Sequence, residues 1–331
     1  MCNDEENETK EVNELTGSNK AISNHEKKGN FKKYFCAHWQ LYIMIALPVI
    51  VLLVFSYAPM YGVLLAFKNY KVSLGIWDSP WADHYGLNNF IRFFKNYNFK
   101  QCLSNTLVIS IYSMAISIPC SIFLALSLNY AKNIVFKKTV QLITYCPYFI
   151  STIVFVGIIN LLMDNRIGVI GSYLYTHFGI NVLGNAGIFP SLYVWTGVWQ
   201  GIGFSAIIYI AALAGVDMEQ HEAAIIDGAT LLQRIRFVDI PAIIPTVVIM
   251  MILNMGTLLN VGYEKVLAMQ NQNNLVASEI ITTYSYKVSL VSTFPDYPYS
   301  TAIGLFQSLV GLILILAANK IANKVSGNGF M

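Results

Sequence analysis

The stretch whose residue types and spacing could do specific work is 217–241. It reads Asp217-Met218-Glu219-Gln220-His221-Glu222-Ala223-Ala224-Ile225-Ile226-Asp227-Gly228-Ala229-Thr230-Leu231-Leu232-Gln233-Arg234-Ile235-Arg236-Phe237-Val238-Asp239-Ile240-Pro241. His221-Glu222 begins like a zinc-protease motif, which needs a second histidine four residues after the first. Position 225 is Ile, so that ligand is missing. No G-x-x-x-x-G-K-[ST] phosphate loop occurs, so ATP binding by this chain is not expected. The five cysteines, Cys2, Cys36, Cys102, Cys120 and Cys146, form no C-x-x-C pair and lie near no histidine at ligand spacing. No apolar segment offers paired Asp, or Ser with His, as an intramembrane enzyme would need. Catalytic residues, a metal site and a cofactor are therefore not expected.

Read physically, 217–241 is a short helix, a bend and a second short helix. Asp217 can cap the first helix, with Gln220 three residues on as an approximate capping box. Glu219 and Glu222 fall in the early turns, where negative charge suits the helix dipole. Ala223 and Ala224 keep one face small, and Gly228 permits a bend or a close backbone approach. Leu231, Leu232 and Ile235 fall at helical spacing, with Gln233, Arg234 and Arg236 on the other side. Pro241 opens the next element, where a missing N–H costs nothing. The stretch is too long for a simple turn and too amphipathic for a loose linker.

The surrounding chain must hold this stretch at a membrane. Of 331 residues, 55% are apolar and 12% charged, about half the charge of an ordinary soluble domain. The apolar residues come in six continuous blocks: 39–67, 103–129, 139–163, 189–215, 241–263 and 299–319. Each is about the ~20 residues that a helix needs to cross a bilayer. All six are expected to be helices, because a lone strand in lipid leaves its backbone unpaired. Residues 1–38 are polar and predict a disordered cytoplasmic tail, 39–319 the membrane domain, and 320–331 a second cytoplasmic tail. Net charge of +3 is too small to point to nucleic acid. Thirteen of the 21 basic residues fall on the side of the termini, among them Lys132, Lys137 and Lys138 in a tight loop, which predicts both termini inside. Pro48, Pro59, Pro119, Pro147 and Pro245 interrupt the blocks, and Gly197/Gly201 and Gly304/Ser308 are small-residue pairs suited to close helix approach.

Almost no charge lies deep in the blocks, which argues against an ion-coupled relay. Polar and aromatic groups inside them are Asn254, Asn260, Gln307, Trp195, Trp199, Tyr145 and Tyr148. They either line a substrate pathway or serve helix–helix bonding and interface anchoring. The outer segment 264–298, with helical stretches such as 278–287, is either a lid packed on its own helices or a platform for a soluble partner, or both.

The 217–241 stretch resembles the EAA loop of binding-protein-dependent ABC importer permeases: Glu-Ala-Ala, three residues, Gly, nine residues, then Ile-x-Leu-Pro. Here it reads Glu222-Ala223-Ala224, Gly228 and Val238-Asp239-Ile240-Pro241, with Val and Ile for Ile and Leu. Asp227, Ala229 and Gln233 also match the sugar-permease pattern. Asp83-His84-Tyr85-Gly86-Leu87-Asn88-Asn89-Phe90 with Phe93-Phe94 resembles the stretch after helix one of sugar permeases. Ser56-Tyr57-Ala58-Pro59-Met60-Tyr61-Gly62 and Gly262-Tyr263-Glu264-Lys265-Val266-Leu267 are similar to the branch serving oligosaccharides. The likeness covers roughly residues 40–320. It implies an all-α integral membrane protein of six transmembrane helices, with the type I ABC importer (maltose-permease-like) fold. It implies a cytoplasmic coupling helix that meets an ATPase through Glu222, Ala223, Ala224, Asp227, Gly228, Ala229, Gln233 and Pro241. It further implies a second permease subunit, two ATP-binding-cassette subunits, an extracytoplasmic sugar-binding protein and membrane lipid as partners, in the cell membrane. The alternatives are a permease for another solute, or a secondary transporter or channel, which inverted repeats or buried ionisable groups would favour.

Overall fold

A computed structural model describes residues 38–326 of the chain. The expected N-terminal tail therefore lies outside the described residues, His38 excepted. The chain divides into two compact units, one ending at Gly62 and one starting at Val63. The first is an apolar helix, α1 (Trp39–Leu52), with Pro48 inside it. It widens into a π-turn at Leu53–Tyr57 and tightens to a 3-10 stretch that runs on to Phe67. The wide turn falls where Pro59 withholds a backbone donor.

The second unit holds α2 (Asn88–Lys95), α3 (Tyr97–Asn129), α4 (Ile134–Tyr145), α5 (Thr152–Met163), α6 (Val169–Phe178) and α7 (Phe189–Ala214). After them come α8 (Met218–Ile226), α9 (Leu231–Arg234), α10 (Ile240–Gly256), α11 (Tyr263–Met269), α12 (Ile281–Tyr286) and α13 (Tyr297–Ser326). Among the described residues the only extended pairings are two isolated bridges, Lys68 with Trp81 and Lys71 with Gly75. Among the described residues five helices are long and apolar enough to cross a bilayer, and the bent pair α4–α5 makes a sixth crossing if counted as one.

Four boundaries differ from the sequence expectation, two of them at prolines. The third block is not one straight helix. It passes through a 3-10 turn at Cys146–Phe149 and bends by 102° before α5. Pro147 removes a donor there, Ile150 and Ser151 turn extended, and the Ser151 hydroxyl accepts from the Val154 N–H to start α5. The fifth helix does not begin at Pro241. It runs unbroken over Leu231–Gly256, because a π-turn at Ile235–Asp239 absorbs the proline's missing hydrogen bond. It ends at Gly256, and Tyr263 starts a separate helix. The last helix continues past 319 to Ser326, through the start of the expected C-terminal tail.

Between lipid-embedded helices, contact rests on close packing rather than on the hydrophobic effect. The packed core near the 130 and 217 ends holds Ala125, Ala206, Tyr209, Leu213 and Ile243. A larger one at the opposite end joins Ile109, Phe155, Val156, Phe189, Val194 and Val266. Of the glycines picked by pattern, Gly197 has the Lys265 ammonium 3.2 Å from where a methyl group would stand, but the close backbone approaches fall elsewhere. Gly201 and Gly304 have open space around them, whereas a methyl group at Gly203 would sit 2.2 Å from the Thr144 carbonyl oxygen. Likewise one at Gly311 would meet the Gly256 carbonyl at 2.7 Å. Gly203→Val is expected to cost about 1–3 kcal/mol by overpacking the α4–α7 crossing. A lowered melting midpoint of the purified protein reads this, with Gly201→Ala, which meets nothing in the chain, leaving it unchanged.

Candidate functional site

Two regions could carry function, and the fifth helix touches both. At one end lies the 217–234 segment. The Asp217 side chain accepts from the Glu219 N–H and starts α8. The capping-box partner forms one helix later than expected: Gln233 Oε1 accepts from both the N–H and the hydroxyl of Thr230. α8 ends in a Schellman turn. The Ala229 N–H donates to the Ala224 carbonyl at 2.9 Å, and the Gly228 N–H to that of Ile225 at 3.0 Å. Gly228 sits at φ +79°, with nothing close to where a Cβ would stand. Glycine is there for its backbone angle and not for lack of room.

Of the residues expected to couple, Glu222, Ala223, Asp227 and Gly228 are exposed along α8 and its turn, and Ala224 and Ala229 are half-buried. Gln233 and Pro241 belong to the next helix, where Gln233 is occupied with Thr230. The motif does not name the large apolar side chains beside them. Met218, Ile225, Ile226 and Leu232 are 70%, 55%, 85% and 75% exposed, a water-averse patch on an otherwise polar turn. Their signal in the sequence is aliphatic pairs flanking Gly228 within a segment rich in charge.

At the other end of the fifth helix is a cavity of about 240 Å³ between α3, α7 and the α10 terminus. Ser110, Ser113 and Ser117 line it from α3, Tyr193 from α7, and Asn254 and Thr257 from the end of α10. The lining carries hydroxyl and amide groups and no charged side chain. Hydroxyls donate and accept, so such a wall suits a ligand with many hydroxyls of its own. The serines recur at three- and four-residue spacing, which places them on one helix face. That stripe is visible in the sequence, but it reads equally well as packing.

The pathway candidates scatter. Asn254 lines the cavity, and its amide donates to the Met250 carbonyl at 2.8 Å. Asn260 lies exposed in the turn beyond. Gln307 is buried and donates to the Leu259 carbonyl, tying α13 to that turn. Trp195 and Trp199 are about half exposed, and Trp199 packs on Phe155. Tyr148 stacks on Phe204 at 4.0 Å, and Tyr145 lies against Gly203 at the α4–α7 crossing.

Lys265, between the fifth and sixth spans, is only 7% exposed. Its ammonium donates to the Tyr193 carbonyl at 3.0 Å and lies over the Tyr193 and Phe155 rings. Burial pushes its pKa down to about 7. It stands directly behind the tyrosine that faces the cavity. The remaining segment, 264–298, packs down as a lid: Asn271 and Asn274 donate to the Leu183 carbonyl, and Thr106 accepts from the Ile281 N–H. Asn89 of the 83–94 stretch is buried and donates to the carbonyls of Ala66 and Lys68, while Phe93 enters a core with Tyr299 and Ile303.

Comparison with known proteins places this arrangement. The family described as binding-protein-dependent transport system inner membrane component matches residues 117–327. Protein LplB of Bacillus subtilis (strain 168) is 38% identical over 291 residues, 87% of this chain and 90% of that protein. The polygalacturonan/rhamnogalacturonan transport system permease protein YteP of the same organism is 39% identical over 292 residues, covering 87% and 89%. A chain from the crystal structure of a bacterial ABC transporter involved in import of the acidic polysaccharide alginate superposes with a TM-score of 0.80. It is 29% identical, over 90% of this chain and 99% of that one. A second structure, of a bacterial alginate ABC transporter in complex with alginate pentasaccharide-bound periplasmic protein, matches equally well.

The buried lysine gives a pH signature with a definite sign. Near and below pH 7 Lys265 is protonated in both folded and unfolded chains, and above about 10.5 in neither. Between these limits only the unfolded chain holds the proton, so stability rises with pH, by up to about 1.4 kcal/mol per unit. Melting curves of the purified protein from pH 7 to 10 should show this rise, and Lys265→Met should be more stable at pH 7 with a flatter profile. A profile in the parent no steeper than in the variant would contradict it.

Proposed function

We propose, because the chain belongs to the family of binding-protein-dependent transport system inner membrane components, that its cargo is an oligosaccharide passing through the serine-lined cavity. The chain is a multi-pass membrane permease subunit of an ATP-binding-cassette importer. It is a non-catalytic pore component, and a separate ATPase hydrolyses the nucleotide. It works with a substrate-binding protein and other importer subunits.

One observation carries the sugar assignment: hydroxyls, an amide and an aromatic ring, without a charge, share the cavity wall with the apolar Met114, Ile118, Leu258 and Val261. YteP and the alginate transporter are named for polysaccharides, whose many hydroxyls such a wall can bond, while the carboxylates of an acidic polymer would find no counter-ion in it. At about 240 Å³ the cavity falls below the roughly 300 Å³ at which self-contained small-molecule sites begin. That supports a pathway whose second wall is a related permease subunit. The basic loop 130–138 and the 217–234 segment are assigned to the cytosol with both termini, on the lysine and arginine distribution. There α8 meets one of two ATPase subunits. Its exposed Ile225 and Ile226, with the small Ala223, the Gly228 turn and Leu232 of α9, form the contact.

Two experiments test the two halves. In proteoliposomes holding the whole importer, Ser113→Val combined with Asn254→Leu should lower oligosaccharide uptake at least tenfold, about 1.4 kcal/mol or more, since each change removes a hydrogen-bonding group. The ATPase should still co-purify, and parent-level uptake would contradict the pathway. Gly228→Asp, which forces a side chain onto a left-handed backbone, should release the ATPase from the purified complex; retention at parent level would contradict docking on this turn.

A further inference from the structure

Among the described residues Asp239 is the one Asp or Glu that is fully buried. It stands in the π-turn where the fifth helix leaves the coupling segment. Tyr130, the residue that ends α3, donates its hydroxyl to Asp239 Oδ2 at 2.6 Å. From α8, His221 brings Nε2 to 3.4 Å from Oδ1, which has no hydrogen-bond partner, so this contact is an ion pair formed when the imidazole is protonated. The Arg234 guanidinium covers the Tyr130 ring at 5.7 Å. The Tyr130 hydroxyl is pushed up to about 12, first by burial and then by Asp239, so it keeps its proton to donate. Three separate elements thus converge on one buried carboxyl group: the end of α3, the coupling helix α8 and the base of the fifth helix.

A buried acidic group is tolerated only while its partners are in place. Covalently, α8 is joined to the fifth helix only through the exposed turn at Gly228, where nothing lies within 4 Å of the place a Cβ would take. A push on α8 would flex that turn before it moved a membrane helix. The carboxyl contact bypasses the turn.

We propose that Asp239, held by Tyr130 and His221, is the clamp that carries motion of α8 into the membrane helices, so that the three are positioning residues for coupling ATP hydrolysis to transport. This rests on the reading that α8 docks on the ATPase.

The test is the number of ATP molecules hydrolysed per substrate imported, in the complete importer reconstituted with its binding protein. Tyr130→Phe and Asp239→Asn should assemble with the ATPase at parent level, yet raise that ratio about three- to tenfold, the worth of one hydrogen bond to a charged or buried group. The double variant should be no worse than the more severe single one, since both act through the same contact. Tyr130→Phe keeps the ring and loses one oxygen, so it reports even where changes at Asp239 hinder assembly. A parent-level ratio in Tyr130→Phe, with the ATPase bound as in the parent, overturns the clamp alone. A parent chain that binds no ATPase overturns the docking reading and the clamp with it.

Discussion

A bilayer offers no hydrogen-bond partner to a stray backbone group, and that constraint shapes every departure of this chain from straight helices. Prolines at 59, 147 and 241 each remove a donor. At 59 and 241 the helix widens into a π-turn and continues. At 147 it breaks, and a serine hydroxyl caps the new start. The difference matters most at 241. Because the turn is absorbed, the fifth helix is one rod of 26 residues, about 39 Å at 1.5 Å per residue. One end of that rod carries Asp239 and the coupling segment, and the other carries Asn254 at the cavity. On the reading proposed above, the motor contact and the substrate path are two ends of a single element.

The rest of the bundle fixes where that rod can go. α7 crosses α4 at Gly203, and α13 crosses α10 at Gly256 and Gly311, with no space for a side chain at either crossing. Contacts this close resist gradual sliding and favour movement as bodies. The cavity opens where α3 and α7 diverge from the end of α10, and the lid segment closes the structure behind it. Lys265, buried behind Tyr193, holds one wall of that cavity by its backbone carbonyl.

Much of this was legible in the sequence, and for a clear reason. A span must be about 20 apolar residues long, so the crossings showed as blocks, and the 217–241 stretch read as a short helix, a bend and a second short helix, with Gly228 left-handed at the bend. What the sequence hid was rotation. A helix that is apolar all round does not declare which face meets a neighbour. Gln307 could therefore line a pathway or bond a neighbouring element, and its amide donates to the Leu259 carbonyl. The serines at 110, 113 and 117 line the cavity, although nothing in their spacing separates a pathway from packing. The fusion of the second short helix with the fifth span was hidden by Pro241, which reads as a helix start unless a π-turn precedes it. Asp239 occupies the variable position of its motif, and only the fold shows it reaching two other elements.

The central claim is that the coupling helix and the fifth transmembrane helix move as one body. Paired spin labels at exposed Ile226 and Met251, in the assembled importer, measure it directly. The distance distribution between them should be the same, within about 2 Å, in the resting state and with ATP trapped, as rigid-body motion requires. A change approaching one helical turn, about 5.4 Å, would show the two elements flexing against each other and would contradict the account.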